Sequence, residues 1–241
     1  MLVSRELCNG CEACIPYCPV GAVSLDREGL AAIDQDACVE CGICYRSGVC
    51  PVDALVMQEL EWPRILRSQF SDPVVEHPGT GILGRGTEEI KTNEVTGRFR
   101  RGRVGMAVEM GRPGVGSSFR EVEIVTIALA REGACFEPMN PVTQLMKDAS
   151  TGKLRDDILD ERVLSAIIEM EMPQDRLPQV LRAAREAAAG LETVFSLGVA
   201  LRVRPENLEW VLATCGAMGF NVLPNGKTNV GLGFPLFPEE D

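Results

Sequence analysis

Two cysteine runs near the N-terminus hold the side chains of this chain that are best suited to chemistry. Residues 8–19 read CNGCEACIPYCP and residues 38–51 read CVECGICYRSGVCP, so that eight of the ten cysteines fall within 43 residues. Such thiols can bind two zinc ions, form a disulfide scaffold or hold iron–sulfur clusters. Zinc sites are usually built from separated pairs of cysteines or histidines around one ion. Three cysteines at successive two-residue spacings, followed by Cys-Pro and repeated once, favour iron–sulfur cubanes.

The two runs are halves of an internal repeat of about 30 residues. Residues 18–23 read CPVGAV and align with residues 50–55, which read CPVDAL. Each half predicts a ligand loop, a turn at the proline, whose fixed φ makes a firm exit from the loop, and then short apolar strands. The expected strands cover residues 22–25 and 31–33 in the first half and residues 54–57 in the second.

Residues 1–58 resemble the bacterial-type two-[4Fe–4S] ferredoxin family, because the first run matches its C-x2-C-x2-C-x3-C-P pattern and the second run is a related copy. In that family, the fourth cysteine of each run binds the cluster of the other run. The resemblance therefore implies two [4Fe–4S] clusters with two crossed ligand sets. One set is Cys8, Cys11, Cys14 and Cys50, and the other is Cys38, Cys41, Cys44 and Cys18.

The second run departs from the family pattern, because five residues separate Cys44 from Cys50 where three separate Cys14 from Cys18. We expect the two extra residues to change solvent access or to place Arg46 near a cluster, and either effect would shift a reduction potential. Each loop also carries an isoleucine that we expect to shield a cluster from water and a tyrosine that we expect to pack rather than to relay electrons. These residues are Ile15, Ile43, Tyr17 and Tyr45.

After the cysteine domain, assigned to residues 1–58, the sequence divides into a middle segment, 59–103, and a second domain, 104–241. The middle segment is rich in Gly, Pro and charge, which predicts a linker or docking segment. It holds the only histidine, His77, which we expect to be exposed in a loop. Its basic side chains, suited to an acidic partner, are Arg64, Arg67, Arg85, Lys91, Arg98, Arg100, Arg101 and Arg103.

The second domain shows regular apolar periodicity. It predicts strands at residues 104–110, 161–172, 193–203, 220–223 and 230–234, and helices at residues 119–131, 176–190 and 205–219. Strands that alternate with amphipathic helices indicate an α/β sandwich, similar to a ferredoxin-like or ACT-like module with one sheet and helices on one face. That resemblance concerns the fold pattern only and implies no activity. The fold class predicted for the whole chain is α+β.

Three local features of the second domain could be taken for sites. The loop at residues 112–118 precedes a helix and could bind an anion, but serine caps explain it better. Cys135 and Cys215 lack ligand partners at metal spacing and are expected to be small buried side chains. We find no Ser/His/Asp set and no HExxH motif, so the sequence offers no acid–base or hydrolytic mechanism.

Composition narrows the class of protein further. The net charge of −11 argues against nucleic-acid binding, which needs a basic face. Residues 1–6 show no basic start followed by an apolar run, and the longest apolar stretches, such as residues 124–130, are too short to cross a bilayer. We therefore expect a cytoplasmic protein without a membrane span. In that reducing compartment, clustered cysteines are metal ligands rather than disulfides.

Together these observations predict a non-catalytic electron-transfer subunit of an anaerobic oxidoreductase. A free ferredoxin needs only about the first 58 residues, so the rest of the protein is expected to dock a partner in a hetero-oligomer. By analogy with other ferredoxin-like subunits, that partner would be a flavin, molybdenum or tungsten enzyme. One alternative is a regulatory protein whose ACT-like domain senses a small molecule, and another is a reductase that itself carries a flavin.

Overall fold

The protein was analysed as a computed structural model that describes residues 1–84, 102–112, 114–201 and 205–223. The strands are β1 Leu2–Val3, β2 Val23–Leu25, β3 Ala31–Ile33, β4 Leu55–Val56, β5 Arg103–Met110, β6 Ser117–Ser118, β7 Cys135–Phe136, β8 Met146–Asp148, β9 Lys153–Leu154, β10 Arg162–Val163, β11 Ala166–Pro173 and β12 Phe195–Ala200. The α-helices are α1 Ile43–Arg46, α2 Ile65–Ser71, α3 Phe119–Arg131, α4 Pro141–Gln144, α5 Leu177–Ala188 and α6 Pro205–Ala217.

The N-terminal half of the fold, which comprises β1 to β4 and α1, is built around the two cysteine loops. The C-terminal half comprises the elements from β5 onward. β1 pairs antiparallel with β4, with Leu2 opposite Val56, and so joins the two ends of the domain. β2 and β3 form a hairpin. The short strands predicted in this half are thereby confirmed, each within one residue of its predicted ends. Helix α1 of the second repeat contacts the turn Ile15–Tyr17 of the first, so the two cysteine loops lie side by side.

The C-terminal half contains a four-stranded antiparallel sheet with the order β12-β5-β11-β7. In sequence its main elements follow the order β5, α3, β7, β11, α5, β12, which is β-α-β-β-α-β. Alternate residues of β5, such as Met106 and Val108, point to one face of the sheet. There they share a core with Val125 of α3 and Val180 of α5. Helices α3 and α5 also pack against each other.

One predicted strand, at residues 161–172, is divided into β10 and β11. β10 pairs with β6, whereas β11 pairs with β5 and β7. The break lies at Leu164 and Ser165, where the Leu164 N–H donates to the hydroxyl of Ser71 at 2.8 Å. The last predicted hairpin lies mostly outside the described residues, and residues 220–223 form no strand.

Helix α2 lies within the segment predicted to be a linker. Leu66 and Phe70 are buried in the core of the C-terminal half, and Phe70 meets Phe119 of α3 edge-on at a ring distance of 5.2 Å. These buried side chains show that α2 packs against the C-terminal half as part of the folded structure. Residues 85–101, with five of the predicted basic side chains, lie outside the described part of the protein.

His77 is buried, so the prediction of an exposed histidine was wrong. Only 5% of its surface is exposed, and its ring meets Phe70 edge-on at 5.6 Å. Its Nδ1 accepts a hydrogen bond from the Gly79 N–H at 3.2 Å. Burial lowers the pKa of His77 below its usual value. The backbone turns back after α2 and presses this side chain onto the helix, which a local sequence pattern does not reveal.

No helix among the described residues is both long enough and apolar enough to cross a lipid bilayer.

Candidate iron–sulfur centres

The structure brings the eight clustered cysteines together in two groups of four, each around a cavity. Cavity A is lined by Cys8, Cys11, Cys14 and Cys50. Cavity B is lined by Cys18, Cys38, Cys41 and Cys44. Each cavity takes three cysteines from one run and the fourth from the other. Among the described residues, no group of three or more His, Cys, Asp or Glu side chains could hold a single metal ion.

Electrostatic coupling among the thiols follows the same two groups. Burial raises the pKa of the Cys14 thiol, and Cys11, Cys50 and Cys8 raise it further. Burial likewise raises the pKa of Cys44 to about 11, with added contributions from Cys41, Cys18 and Cys38. Metal binding to such thiols requires that their protons be released, so the positive charge of bound iron would replace the protons that the protein alone favours.

The backbone of the two ligand loops repeats in detail. Each half has four positions with a positive φ, and three of them are equivalent under the internal repeat. The pairs are Gly10 (70°) with Glu40 (52°), Glu12 (61°) with Gly42 (65°), and Gly21 (66°) with Asp53 (50°). Alternating right- and left-handed backbone turns peptide N–H groups into a concavity that binds anions. Both loops are therefore shaped to receive a group that carries partial negative charge, as the sulfides of a cluster do.

Backbone N–H groups also point at cysteine sulfurs. The Ala22 N–H donates to Cys18 Sγ at 3.1 Å, and the equivalent Ala54 N–H donates to Cys50 Sγ at 3.2 Å. Cys8 Sγ accepts from Ala31, which opens β3, at 3.4 Å. Hydrogen bonds to ligand sulfur favour the thiolate and are among the features that set cluster potentials. Four thiols around each cavity and backbone N–H groups directed at ligand sulfurs together fit a [4Fe–4S] cluster in each cavity.

Arg67 of helix α2 links the second cysteine loop, in the N-terminal half, to the C-terminal half. Its Nη1 donates to the carbonyl oxygens of Cys38, Gln35 and Asp36 at 2.7, 2.9 and 3.0 Å. Its Nε donates to the carboxylate of Glu161 in the C-terminal half. The Arg67 side chain is buried. One guanidinium therefore fixes helix α2 against the loop that lines cavity B.

Two more arginines contact the same loop. Arg46 donates to the Cys41 carbonyl at 2.5 Å and to the buried carboxylate of Asp72 at 2.6 Å. Arg64, which precedes α2, donates to Glu40 at 2.6 Å. Glu40 also accepts from the Met1 amino group. Burial opposes the ionisation of Glu40, but these hydrogen bonds outweigh it and lower the pKa of the carboxyl group.

Cavity A has a different setting. Cys11 is exposed, whereas the equivalent Cys41 is buried. The arginine nearest in sequence, Arg5, is half exposed and pairs at the surface with Asp26 and Glu28 at 2.5 and 2.8 Å. Within the described ranges, no arginine donates to a carbonyl oxygen of the four cysteines of cavity A. The two cavities thus share a backbone plan but not an electrostatic environment.

The residues expected to surround the clusters were predicted with mixed success. Ile15 packs against the core of the N-terminal half, as expected for a shielding side chain, and Ile43 is half-buried. Tyr17 and Tyr45 were expected to pack, but they are 45% and 46% exposed. Both lie on short helical turns, which put one side of the turn against the core and the other in water. Tyr17 nevertheless contributes to the wall of cavity B.

Three features outside the N-terminal half complete the comparison with the sequence. Cys215 is buried as predicted, but Cys135 is exposed on the short strand β7, so that prediction was wrong. At the start of α3, the Ser118 side chain accepts from the Glu121 N–H, and the Glu121 carboxylate accepts from the Ser118 N–H at 2.8 Å. This capping box occupies the helix end, so serine caps are confirmed over an anion site.

Comparison with known proteins identifies the N-terminal domain. Residues 7–54 match the 4Fe–4S dicluster domain family. This part of the protein is therefore an iron–sulfur domain of the two-cluster type, with the electron-transfer chemistry of that class. The match does not extend into the C-terminal half.

The relatives are similar over the same small region, and each match covers less than two thirds of the relative. Pyruvate synthase subunit PorD of Methanocaldococcus jannaschii is 41% identical over 54 residues, which is 22% of this protein and 60% of the relative. A tetrathionate reductase subunit of Salmonella typhimurium is 40% identical over 51 residues, 20% of each sequence. A polypeptide of the anaerobic dimethyl sulfoxide reductase of Escherichia coli is 39% identical over 49 residues, 20% of this protein and 23% of the relative. No solved structure gives a significant match.

Proposed function

We propose that this protein is an electron-transfer subunit of a larger oxidoreductase, and that it holds one [4Fe–4S] cluster in each cavity. Cavity A would use Cys8, Cys11, Cys14 and Cys50, and cavity B would use Cys18, Cys38, Cys41 and Cys44. The observation that carries the proposal is the grouping of the cysteines, four around each of two cavities. Each cluster would accept and donate one electron at a time.

The crossed grouping also keeps the two cavities close together. Cys14 lines cavity A and Cys18 lines cavity B, with only the short turn Ile15–Tyr17 between them. Four residue steps span at most about 14 Å even when fully extended, and a helical turn is shorter. These residues therefore hold two one-electron sites within one small domain, as a relay requires.

The remainder of the protein would serve attachment to a partner enzyme. We propose that residues 104–241 form a module of the ferredoxin-like or ACT-like type, which the β-α-β-β-α-β order and the sheet order support. Residues 59–103 would link the domains and contribute to docking. The relatives carry the names of components of pyruvate synthase, tetrathionate reductase and dimethyl sulfoxide reductase. These names, which are those of subunits of oxidoreductases, support a hetero-oligomer. We further propose that it is cytoplasmic and that the partner is a flavin, molybdenum or tungsten enzyme.

Metal analysis of paired variants tests both the clusters and the ligand sets. Anaerobically purified protein should contain about eight iron and about eight sulfide per polypeptide, as two cubanes require. Cys11→Ala/Cys50→Ala removes two ligands from one proposed set, so about four iron should remain as one intact cubane in the EPR spectrum of the reduced protein. Cys11→Ala/Cys18→Ala removes one ligand from each set and should leave no cubane with four cysteine ligands.

The outcome of these two variants separates crossed from uncrossed ligation. If each run held its own cluster, Cys11→Ala/Cys18→Ala would keep one intact cubane and Cys11→Ala/Cys50→Ala would damage both. Cys135→Ala/Cys215→Ala is the matched control and should retain both clusters, because neither cysteine lines a cavity of the N-terminal half. Zinc in place of iron in the parent protein would overturn the proposal.

A further inference from the structure

The two cavities differ most in the positive charge that touches their ligand loops. Arg67 donates to the carbonyl oxygen of Cys38, and Arg46 donates to the carbonyl oxygen of Cys41. Both acceptors are the main-chain groups of cysteines that line cavity B. In the part of the protein that the structure describes, the cysteines of cavity A receive no such contact. The asymmetry lies in the ligand loops themselves and not in distant surface charge.

Each of the two arginines also has an acidic partner. Arg46 is paired with Asp72, of which only 1% is exposed, and Arg67 with Glu161. Arg46 and Arg67 donate directly to carbonyl oxygens of the ligand loop. The Asp72 carboxylate, which accepts from Arg46, also lies against this loop beside Gly42. Side chains of both signs therefore stand at the ligand loop of cavity B.

The sequence has a specific source for each contact. Arg46 lies in the stretch between Cys44 and Cys50, which is two residues longer than its counterpart between Cys14 and Cys18. Arg67 comes from α2, which lies beyond the repeat and is anchored in the C-terminal half through Leu66 and Phe70. Neither arginine belongs to the cysteine motif that the two repeats share, and both contact only the second loop.

These charges act on the energy of the reduced cluster. A cluster that accepts one electron gains one negative charge, and burial makes that charge costly because the surroundings are less polarisable than water. Cavity B has the more buried ligands, since Cys41 and Cys44 are both buried. A guanidinium in contact with the ligand loop stabilises the added charge, and a nearby carboxylate destabilises it.

We propose that Arg46 and Arg67 raise the midpoint potential of the cluster in cavity B, that Asp72 lowers it, and that together they keep this buried cluster reducible. The inference rests on the proposed function, because it requires a [4Fe–4S] cluster in each cavity. All three side chains are positioning residues, since they act through the main chain of the ligand loop. They place the redox asymmetry of the protein in residues outside the cysteine motif.

The test is an anaerobic potentiometric titration of the full-length protein, with dithionite as the reductant and EPR as the readout. The parent protein should give two midpoint potentials. Arg46→Gln should lower one of them and leave the other in place. Asp72→Asn, which keeps the shape and one carbonyl acceptor, should raise the same midpoint. A residue with a merely structural role would not produce opposite shifts of one midpoint from these two changes.

Arg5→Gln is the matched control, because it removes one positive charge from an exposed arginine of the same domain. One midpoint is expected to respond to Arg46→Gln. Arg5→Gln should shift that midpoint by a smaller amount. If Arg46→Gln does not fold, Asp72→Asn decides alone: an upward shift of one midpoint supports the inference, and no shift overturns it. Shifts in the same direction, or equal shifts of both midpoints, also overturn it. Iron content is measured on every sample, and fewer than two clusters in the parent protein would overturn the proposed function instead.

Discussion

The loop of residues 8–14 and the loop of residues 38–44 are two copies of one structure in two surroundings. Their backbones turn at equivalent positions, and equivalent N–H groups donate to Cys18 and Cys50 at 3.1 and 3.2 Å. Yet Cys11 is exposed and its counterpart Cys41 is buried beside three arginines. The comparison shows that the shared cysteine motif determines how thiols are gathered. Residues outside that motif, in the longer Cys44–Cys50 stretch and in the segment that carries α2, determine what surrounds them.

The copies also differ at positions with a positive φ. Glycine occupies such a position without steric cost, whereas other residues do so at a cost. Glu40 stands at the position equivalent to Gly10, and Asp53 at the position equivalent to Gly21. Glu40 is held in place by hydrogen bonds from Arg64 and the Met1 amino group. At this position the second loop has a side chain that contacts Arg64 and the N-terminus, where the first loop has glycine. The reverse exchange occurs at Glu12 of the first loop and Gly42 of the second.

The largest expected effect comes from removing the contact that joins the second loop to the C-terminal half. Arg67→Ala leaves Glu161 without this partner and removes the donor from three carbonyl groups. Breaking a buried ion pair on one side typically costs about 3–5 kcal/mol. We expect a loss of this size in the free energy of unfolding, measured by urea denaturation followed by circular dichroism.

Arg5→Ala is the control for the first loop, because the ion pairs that Arg5 forms with Asp26 and Glu28 are exposed. Exposed ion pairs contribute about 0–1 kcal/mol, so this variant should unfold close to the parent protein. Equal losses from Arg67→Ala and Arg5→Ala would show that the second loop gains no stability from its surroundings, and the comparison of the two loops would then fail.

Two glycine substitutions in the first repeat separate the cost of a positive φ from the cost of a steric clash. An alanine Cβ at Gly10 would lie 2.3 Å from the carbonyl oxygen of Gly29, whereas a Cβ at Gly21 would meet nothing within 4 Å. Both positions have a positive φ, which costs about 1–2 kcal/mol for a residue with a side chain. Gly10→Ala adds overpacking of about 1–3 kcal/mol. We expect Gly10→Ala to lower the urea midpoint more than Gly21→Ala does.

Iron retention gives the second readout of this pair. Under a chelator, Gly10→Ala should release iron first from the cluster of cavity A, because Gly10 lies in that loop. Gly21→Ala should behave like the parent protein, since its equivalent, Asp53, already carries a side chain at φ 50°. If the two variants lost iron at the same rate, the close approach of Gly10 to Gly29 would have no consequence for the site.

The sequence was informative where interactions are local or repeated. The repeated cysteine spacing indicated iron–sulfur ligands, and the resemblance to the two-cluster ferredoxins implied the two crossed sets of four. Apolar periodicity was enough to predict α3 and α5, whose buried residues recur at helical spacing. Such patterns involve residues that are close together in the sequence, so they can be recognised from the sequence alone.

The errors share one physical cause, which is contact between residues far apart in the sequence. Leu164 leaves its predicted strand to donate to Ser71, 93 residues earlier. Helix α2, which no local pattern predicted within the linker or docking segment, buries Leu66 and Phe70 in the core of the C-terminal half. Arg67 could be predicted to be basic and available for docking, but its partners inside the molecule could not. His77 belongs to this group as well, since its burial depends on Phe70.

The smallest expected effect is a pH dependence of the segment that packs on α2. Burial lowers the pKa of His77, so the folded protein binds a proton there less readily than the unfolded state, whose histidine titrates near about pH 6.5. Stability is therefore complete above that pH and is lost as the pH falls below it, by up to about 1.4 kcal/mol per pH unit. His77 is the only histidine, so few other groups titrate in this window.

The variant His77→Asn isolates this effect, because its amide oxygen can accept the Gly79 N–H in place of Nδ1. A constant loss of stability in the variant does not matter, since the readout is the slope of the free energy of unfolding between about pH 6.5 and pH 5.5. The parent protein should lose more stability than His77→Asn over this range, by up to about 1 kcal/mol. Because His77 packs on Phe70 of the helix that carries Arg67, acid should also release iron from cavity B sooner in the parent protein than in the variant. Parallel slopes in the two proteins would show that His77 stays out of the titration, and that acid acts on the two cysteine loops alike.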